Sequence, residues 1–257
     1  MKLIMENWRG FLNEKVVTGR ALERYATALT RETINMLKSD AFIKHIDKER
    51  EAEATLTAPL IKELDWVRRV VLHVKQDEKM GLDTGETMTH GSYEYTLDAP
   101  EEERKTADIH VNVVLPVEYD FSVFSELIPQ LKDTFRHELE HSGQPTEMLD
   151  TTLKKIPDAK VWKTLEIAEQ YYMSESETKA HVAGLYKKAK TLKKPAAEIV
   201  DRFLGEVLDT GISHGYLEKD VMPLILRIRE RWIAHMKDRY PKAEVGEYWE
   251  NWDEETE

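Results

Sequence analysis

Residues 127–142 read Leu127-Ile128-Pro129-Gln130-Leu131-Lys132-Asp133-Thr134-Phe135-Arg136-His137-Glu138-Leu139-Glu140-His141-Ser142. Leu127, Ile128, Leu131, Phe135 and Leu139 fall at helical spacing, which predicts a helix with one apolar face running through about Ser142. His137 and His141 lie off that stripe and are four residues apart, so they share a helix face about one turn from each other. Two imidazoles so placed can ligate one zinc ion at roughly 2.0–2.1 Å. Glu138 lies at an adjacent angle of the same helix, where it can take a proton from water activated at the metal instead of ligating the metal.

A zinc site needs a third protein ligand. The extended pattern HExxHxxGxxH would require Gly at 144 and His at 147, where this chain has Gln144 and Glu147. The remaining candidates are Glu166, Glu169, Glu175, Glu177 and His181. The segment from Tyr171 to Gly184 is the most informative. Ala180, Ala183 and Gly184 would let its helix approach the helix of the two His closely, with Glu177 projecting across the gap. Ser174 and Glu177 also have the spacing of a capping box, which by itself accounts for a Glu at 177. His181, one turn later, is a candidate support behind the ligands or an alternative ligand.

Working outward, Val70, Val71, Leu72 and Val74 suit a short buried strand, although a helix is also compatible with the run. A second strand is expected near 91–96 and a third at 108–115, where Ile109, Val111, Val113 and Leu115 share one face. The 108–115 strand is a candidate edge for pairing with extended substrate backbone. Helices are expected at 19–37, at 41–54, from Pro59 to about Arg68, and at 158–172, 174–190, 196–209 and 220–240. Gly211 and Gly215 are expected to separate the last two. Helices, a small sheet, then helices make an α+β fold.

The chain has 257 residues, enough for a sizeable core, and no Cys. A thiolate nucleophile and Cys-ligated metal are thereby excluded, so any metal must be held by His, Asp and Glu. With 37 basic against 49 acidic residues the net charge is −12, which disfavours a nucleic-acid partner. No run approaches the roughly 18 apolar residues of a membrane span, and no membrane partner is expected. Residues 243–257 form an acidic tail containing Trp249 and Trp252.

With these residues in view, the chain resembles the zincin metallopeptidases of the gluzincin type, in which two His and a distant Glu hold zinc. The matching positions are His137, Glu138 and His141, with Glu177 in a later helix. Tyr171, Ser174, Glu177 and Ala180 are similar to the Tyr-x-x-Ser-x-x-Glu-x-x-Ala helix of small HExxH proteins in phages and bacteria. Larger gluzincins carry Asn-Glu where this chain has Ser176-Glu177. The likeness spans about residues 65–190. It implies a zincin-like domain over 15–242, with a small mixed sheet, an active-site helix and a helical C-terminal half. It further implies Zn2+ as cofactor, a peptide or protein substrate, hydrolysis with Glu138 as general base, and a cytoplasmic or, for a viral chain, virion location.

Residues 1–14 are similar to the leaders of internal head proteins of large tailed phages, which are cut after triplets like Leu12-Asn13-Glu14. The competing expectation is an N-terminal helix packing Leu3, Ile4, Trp8, Phe11 and Leu12. The leader likeness carries an alternative function: an internal head protein with a zincin fold and no required turnover. Lys187, Lys188, Lys190, Lys193 and Lys194 read as a solvated helix end, and His73, His90, His110, His214 and His235 as isolated. Tyr171, Tyr172 and His214 are minor candidates for donating to an oxyanion. There is no Gly-rich phosphate loop and no Gly-x-Ser-x-Gly elbow.

Overall fold

The structure is a computed structural model that describes residues 19–56, 67–77, 88–94, 107–117, 121–144, 158–243 and 245. The leader-like residues 1–14 and nearly all of the acidic tail lie outside the described residues.

Helix α1, Gly19–Leu37, buries Leu22, Tyr25, Ala26, Leu29 and Ile34 along one face. Helix α2, Asp40–Glu49, starts where the Ser39 hydroxyl accepts from the Phe42 amide and buries Phe42 and Ile46. It stops at Arg50, whose φ of 63° is left-handed and whose N–H donates to the Ile46 carbonyl. The expected helix to residue 54 is therefore five residues too long. Beyond Ile46 no apolar residue continues the helical stripe, and Glu51–Leu56 forms strand β1 instead, with alternating exposure.

Strand β2 is Val67–Asp77, β3 is Met88–Glu94 and β4 is Ala107–Pro116. The 70–74 run is thus a strand, and Arg68 belongs to it rather than to the helix expected from Pro59, the rest of which lies outside the described residues. The strands lie in the order β1-β2-β4-β3, with β2 and β4 parallel and the two outer pairings antiparallel. Val70, Leu72 and Val74 sit in register with Ile109, Val111 and Val113, all buried on one face. Burying each such side chain contributes about 1.5–3 kcal/mol. β4 is consequently an interior strand bonded on both sides, and the expectation that it offers an edge to substrate is corrected. Among the described residues the edges are β1 and β3.

Helix α3, Phe124–Ser142, lays Leu127, Leu131, Phe135 and Leu139 on that buried face, as its spacing predicts. A 3-10 turn, Asp158–Lys163, precedes helix α4, Leu165–Tyr172. The expected single helix over 158–172 is broken because the Thr164 hydroxyl caps the amide of Ile167 and starts a new helix. Helices α5, Glu175–Leu192, α6, Ala196–Ser213, and α7, Glu218–Arg239, complete the fold around a second core centred on Leu204, Ile228 and Trp232. Gly211 lies inside α6 and not between helices, and the lack of a side chain there leaves room for the Trp162 ring, which a Cβ would meet at 2.8 Å. The break falls at Gly215, with φ of 93°.

The fold is α+β, and its two cores meet where α3 packs on α5. The approach is tight at Gly184, where a Cβ would fall 2.2 Å from Oδ1 of Asp133 and 2.9 Å from its carbonyl oxygen. The Lys-rich end of α5 is internally neutralised: Lys190 reaches Glu23 at 3.1 Å, Lys188 reaches Asp133 at 3.8 Å, and Lys194 pairs with Glu198. Among the described residues no helix is long and apolar enough to cross a membrane.

Candidate metal centre

The last two turns of α3 and the first turn of α5 bring His137, His141 and Glu177 together, and their donor atoms all lie within 4.8 Å of one another. Nε2 of His137 and Nε2 of His141 are 3.0 Å apart. Oε1 of Glu177 is 3.4 Å from Nε2 of His141, and Oε2 is 3.6 Å from Nε2 of His137. Adjacent donors of a tetrahedral site with bonds of roughly 2.0–2.1 Å sit about 3.3 Å apart. The separation of the two imidazole nitrogens is close to that edge, and the Glu177 carboxylate straddles the pair with one oxygen near each ring. The group could hold a metal ion.

The protonation of the group supports that fit. Burial presses the His141 imidazole toward its neutral form, but the Glu177 carboxylate beside it outweighs burial and lifts its pKa to about 9. Burial likewise raises Glu177, yet His141 and then His137 hold its carboxyl well below the ordinary range. Oε2 of Glu177 is buried without a hydrogen-bond partner. An anion buried among imidazole lone pairs requires either a proton or a cation.

The orientation of His141 is fixed from behind. Its Nδ1 lies 3.3 Å from Oε1 of Gln144 and 3.2 Å from Oγ of Ser176. The Ser176 hydroxyl donates to Gln144 Oε1 at 2.6 Å, and Gln144 Nε2 donates to the Ser176 carbonyl at 3.1 Å. Gln144 Oε1 is an acceptor only, so Nδ1 of His141 keeps its proton, and Nε2 is the nitrogen that can give up its proton to offer a lone pair to the group. The Ser174 hydroxyl caps the Glu177 amide at 3.1 Å, so the helix-capping role and the clustered carboxylate coexist in α5.

Glu138 is buried at 4% exposure and faces β3. A Cβ on Gly91 would collide with its carboxylate, and one helical turn earlier Thr89 Oγ meets Thr134 Oγ at 2.8 Å. Strand β3, an edge among the described residues, therefore runs along α3, past the residue next to His137.

Of the other candidates, the three carboxylates are engaged elsewhere and His181 adjoins the group. Glu166 accepts from Gln170, Glu169 pairs with Arg227 at 2.6 Å, and Glu175 pairs with Lys179 at 2.5 Å. His181 stacks on Trp232 with ring centroids 4.7 Å apart, and its Nε2 is 3.7 Å from Oε2 of Glu177. His214 donates from Nδ1 to the Thr210 carbonyl at 2.9 Å at the end of α6, and Tyr172 packs on Trp162 and Trp232.

His73 and His110 are not isolated, because parallel pairing of β2 and β4 sets their ring nitrogens 3.0 Å apart. Gln144, Ser176 and Gly91 carry roles that no local motif announces. So does the pair of arginines on Glu140: Arg136 Nη1 lies 2.7 Å from one carboxylate oxygen, and Arg239 Nη1 lies 2.6 Å from the other. That pair ties the last turns of α3 to α7.

No family model matches the chain, and no curated relative and no solved structure matches it.

Proposed function

We propose that this chain is a zincin-like zinc metallopeptidase that hydrolyses peptide bonds, with His137, His141 and Glu177 holding the metal and Glu138 as general base. The observation that carries the reading is the position of Glu138. It adjoins the ligand group, it is shielded from water, and it faces the edge strand. Binding a metal does not by itself call for a carboxylate at that position, whereas a general base does. Two imidazoles and one carboxylate suit zinc, and three protein ligands leave a position for substrate or water. Bound there, zinc would supply Lewis acidity toward a scissile carbonyl and make water a better nucleophile at neutral pH.

The chain's own residues account for the rest. Glu138 takes a proton from the attacking water and returns it to the leaving amine, a role in which a carboxylate typically contributes about 10²–10⁴-fold. Gln144 and Ser176 hold His141 in the tautomer that offers Nε2. β3 replaces β4 as the strand that would take the substrate. Among the described residues it is the sheet edge beside α3, and an extended peptide adding to it would bring its backbone past Gly91 and Glu138.

The test is cleavage of unfolded protein substrates by zinc-loaded protein, by chelated protein and by chelated protein resupplied with zinc. Cleavage that is lost on chelation and restored by zinc is expected. One bound zinc per chain with every substrate left intact would contradict the proposal and favour a binding role without turnover.

A further inference from the structure

We propose that His181 positions the third ligand, donating from Nε2–H to Oε2 of Glu177 so that Oε1 alone is left for the metal. The inference rests on the metal-binding reading of His137, His141 and Glu177 and adds a residue to it.

Three observations carry it. Oε2 of Glu177 and Nε2 of His181 are both buried, neither has a hydrogen-bond partner, and they face each other at 3.7 Å across one turn of α5. Nε2 of His137 also lies 3.6 Å from Oε2, but in the metal-binding reading its lone pair faces the metal and it has no proton to donate, which leaves His181 as the donor within reach. Closing by roughly 0.7 Å would satisfy both buried groups. The His181 ring is also locked in place. It stacks on Trp232 at 4.7 Å and 22°, lies against Phe203 at 5.1 Å, and meets His137 edge-on at 4.5 Å. Finally, the surroundings of the ring are mostly aromatic, so a phenylalanine would pack there as well. What an imidazole adds is the nitrogen aimed at Glu177. The clustered donor atoms are those of His137, His141 and Glu177, and His181 stands behind Glu177.

A carboxylate free to turn can bind a metal through one oxygen or two. Occupying Oε2 with a donor fixes the one-oxygen mode and keeps a coordination position open, as hydrogen bonds behind metal ligands commonly do. His181 is thus a positioning residue that acts through Glu177.

The test measures zinc affinity by chelator competition in the full chain. His181→Phe keeps the stacking and removes the donor, so it should weaken zinc binding about ten- to a hundredfold. His181→Gln keeps an N–H donor and should stay within about threefold of the unaltered chain, well inside that loss. Repeating His181→Phe in a Glu177→Ala background separates positioning from general packing, since a residue acting through Glu177 has no further effect once Glu177 is gone. Affinity unchanged in His181→Phe, an equal loss in His181→Gln, or a loss that persists in the Glu177→Ala background would each overturn the role of His181. Absence of zinc binding by the unaltered chain would instead overturn the metal centre itself.

Discussion

Gly91 and Glu138 compete for one space: a Cβ added to Gly91 would lie 2.4 Å from Oε1 of Glu138 and 2.6 Å from its Cγ. No real Cβ tolerates such distances, so Gly91→Ala must displace the Glu138 carboxylate. His137 and His141, one residue before and three residues after Glu138, lie on other angles of α3 and need not move. Zinc content should therefore be retained, with an overpacking cost of about 1–3 kcal/mol. Hydrolysis should fall at least about tenfold, since the base no longer meets the attacking water. Zinc analysis, thermal unfolding and cleavage rates on one preparation check this. Full activity in Gly91→Ala would show that Glu138 works from another position.

In the proposed metal centre Gln144 and Ser176 would act on the metal through His141. Gln144→Ala removes the acceptor for its Nδ1–H and frees the ring to turn. Zinc affinity is expected to drop about ten- to a hundredfold in Gln144→Ala and less in Ser176→Ala. Chelator competition measures both, and unchanged affinity in Gln144→Ala would remove it from the site.

In the proposed metal centre, proton and metal would compete for Nε2 of His141. In the metal-free protein its pKa is raised from 6.5 to about 9, so that nitrogen is protonated at neutral pH and zinc must displace the proton. Zinc affinity should rise about tenfold per pH unit below about 9 and level off above it. The metal-free protein moves oppositely. A raised folded pKa gives stabilisation that is complete below 6.5 and lost as pH rises toward 9. The thermal shift on adding zinc should thus grow from pH 7 to pH 9, measured by calorimetry with and without metal. A shift independent of pH would contradict the ion pair between His141 and Glu177.

Arg136 is fully buried on α3 and its charge is met by Glu140, which Arg239 of α7 also reaches. Glu140→Gln leaves that guanidinium without its anion and should cost about 3–5 kcal/mol in urea unfolding. Burial would raise the Glu140 carboxyl, but Arg136 and Arg239 hold it lower. Its contribution is therefore present above the ordinary carboxylate range and lost as pH falls through the lowered value. The gap between wild type and Glu140→Gln should close in acid.

Much of the site could be read directly, because the chemistry fixes the spacing. His137 and His141 must be one turn apart to share a metal. The small residues Ala180, Ala183 and Gly184 announce the close approach of α5 that brings Glu177 across. The helices carrying an apolar stripe were legible within a few residues for the same reason. What was not legible depends on pairing between distant segments. Glu51–Leu56 is charge-rich and looks helical until β2 is beside it. The 108–115 strand alternates like an edge strand, and only its parallel pairing to β2 moves it to the interior and gives the edge to β3. Gly91 looks like loop punctuation in isolation. Gln144 reads only as a break in a longer zinc pattern, although its hydrogen bond to His141 contributes to the site.

The measurement that tests the central claim most directly is Glu138→Gln, assayed for zinc and for hydrolysis in the same sample. Gln keeps the size of the side chain, so zinc stoichiometry and melting temperature should match wild type. It cannot accept a proton at neutral pH, so cleavage should fall at least about a hundredfold. A Glu138→Gln protein that holds zinc and cleaves like wild type would contradict the account, because the buried carboxylate beside the metal group would then have no part in the chemistry.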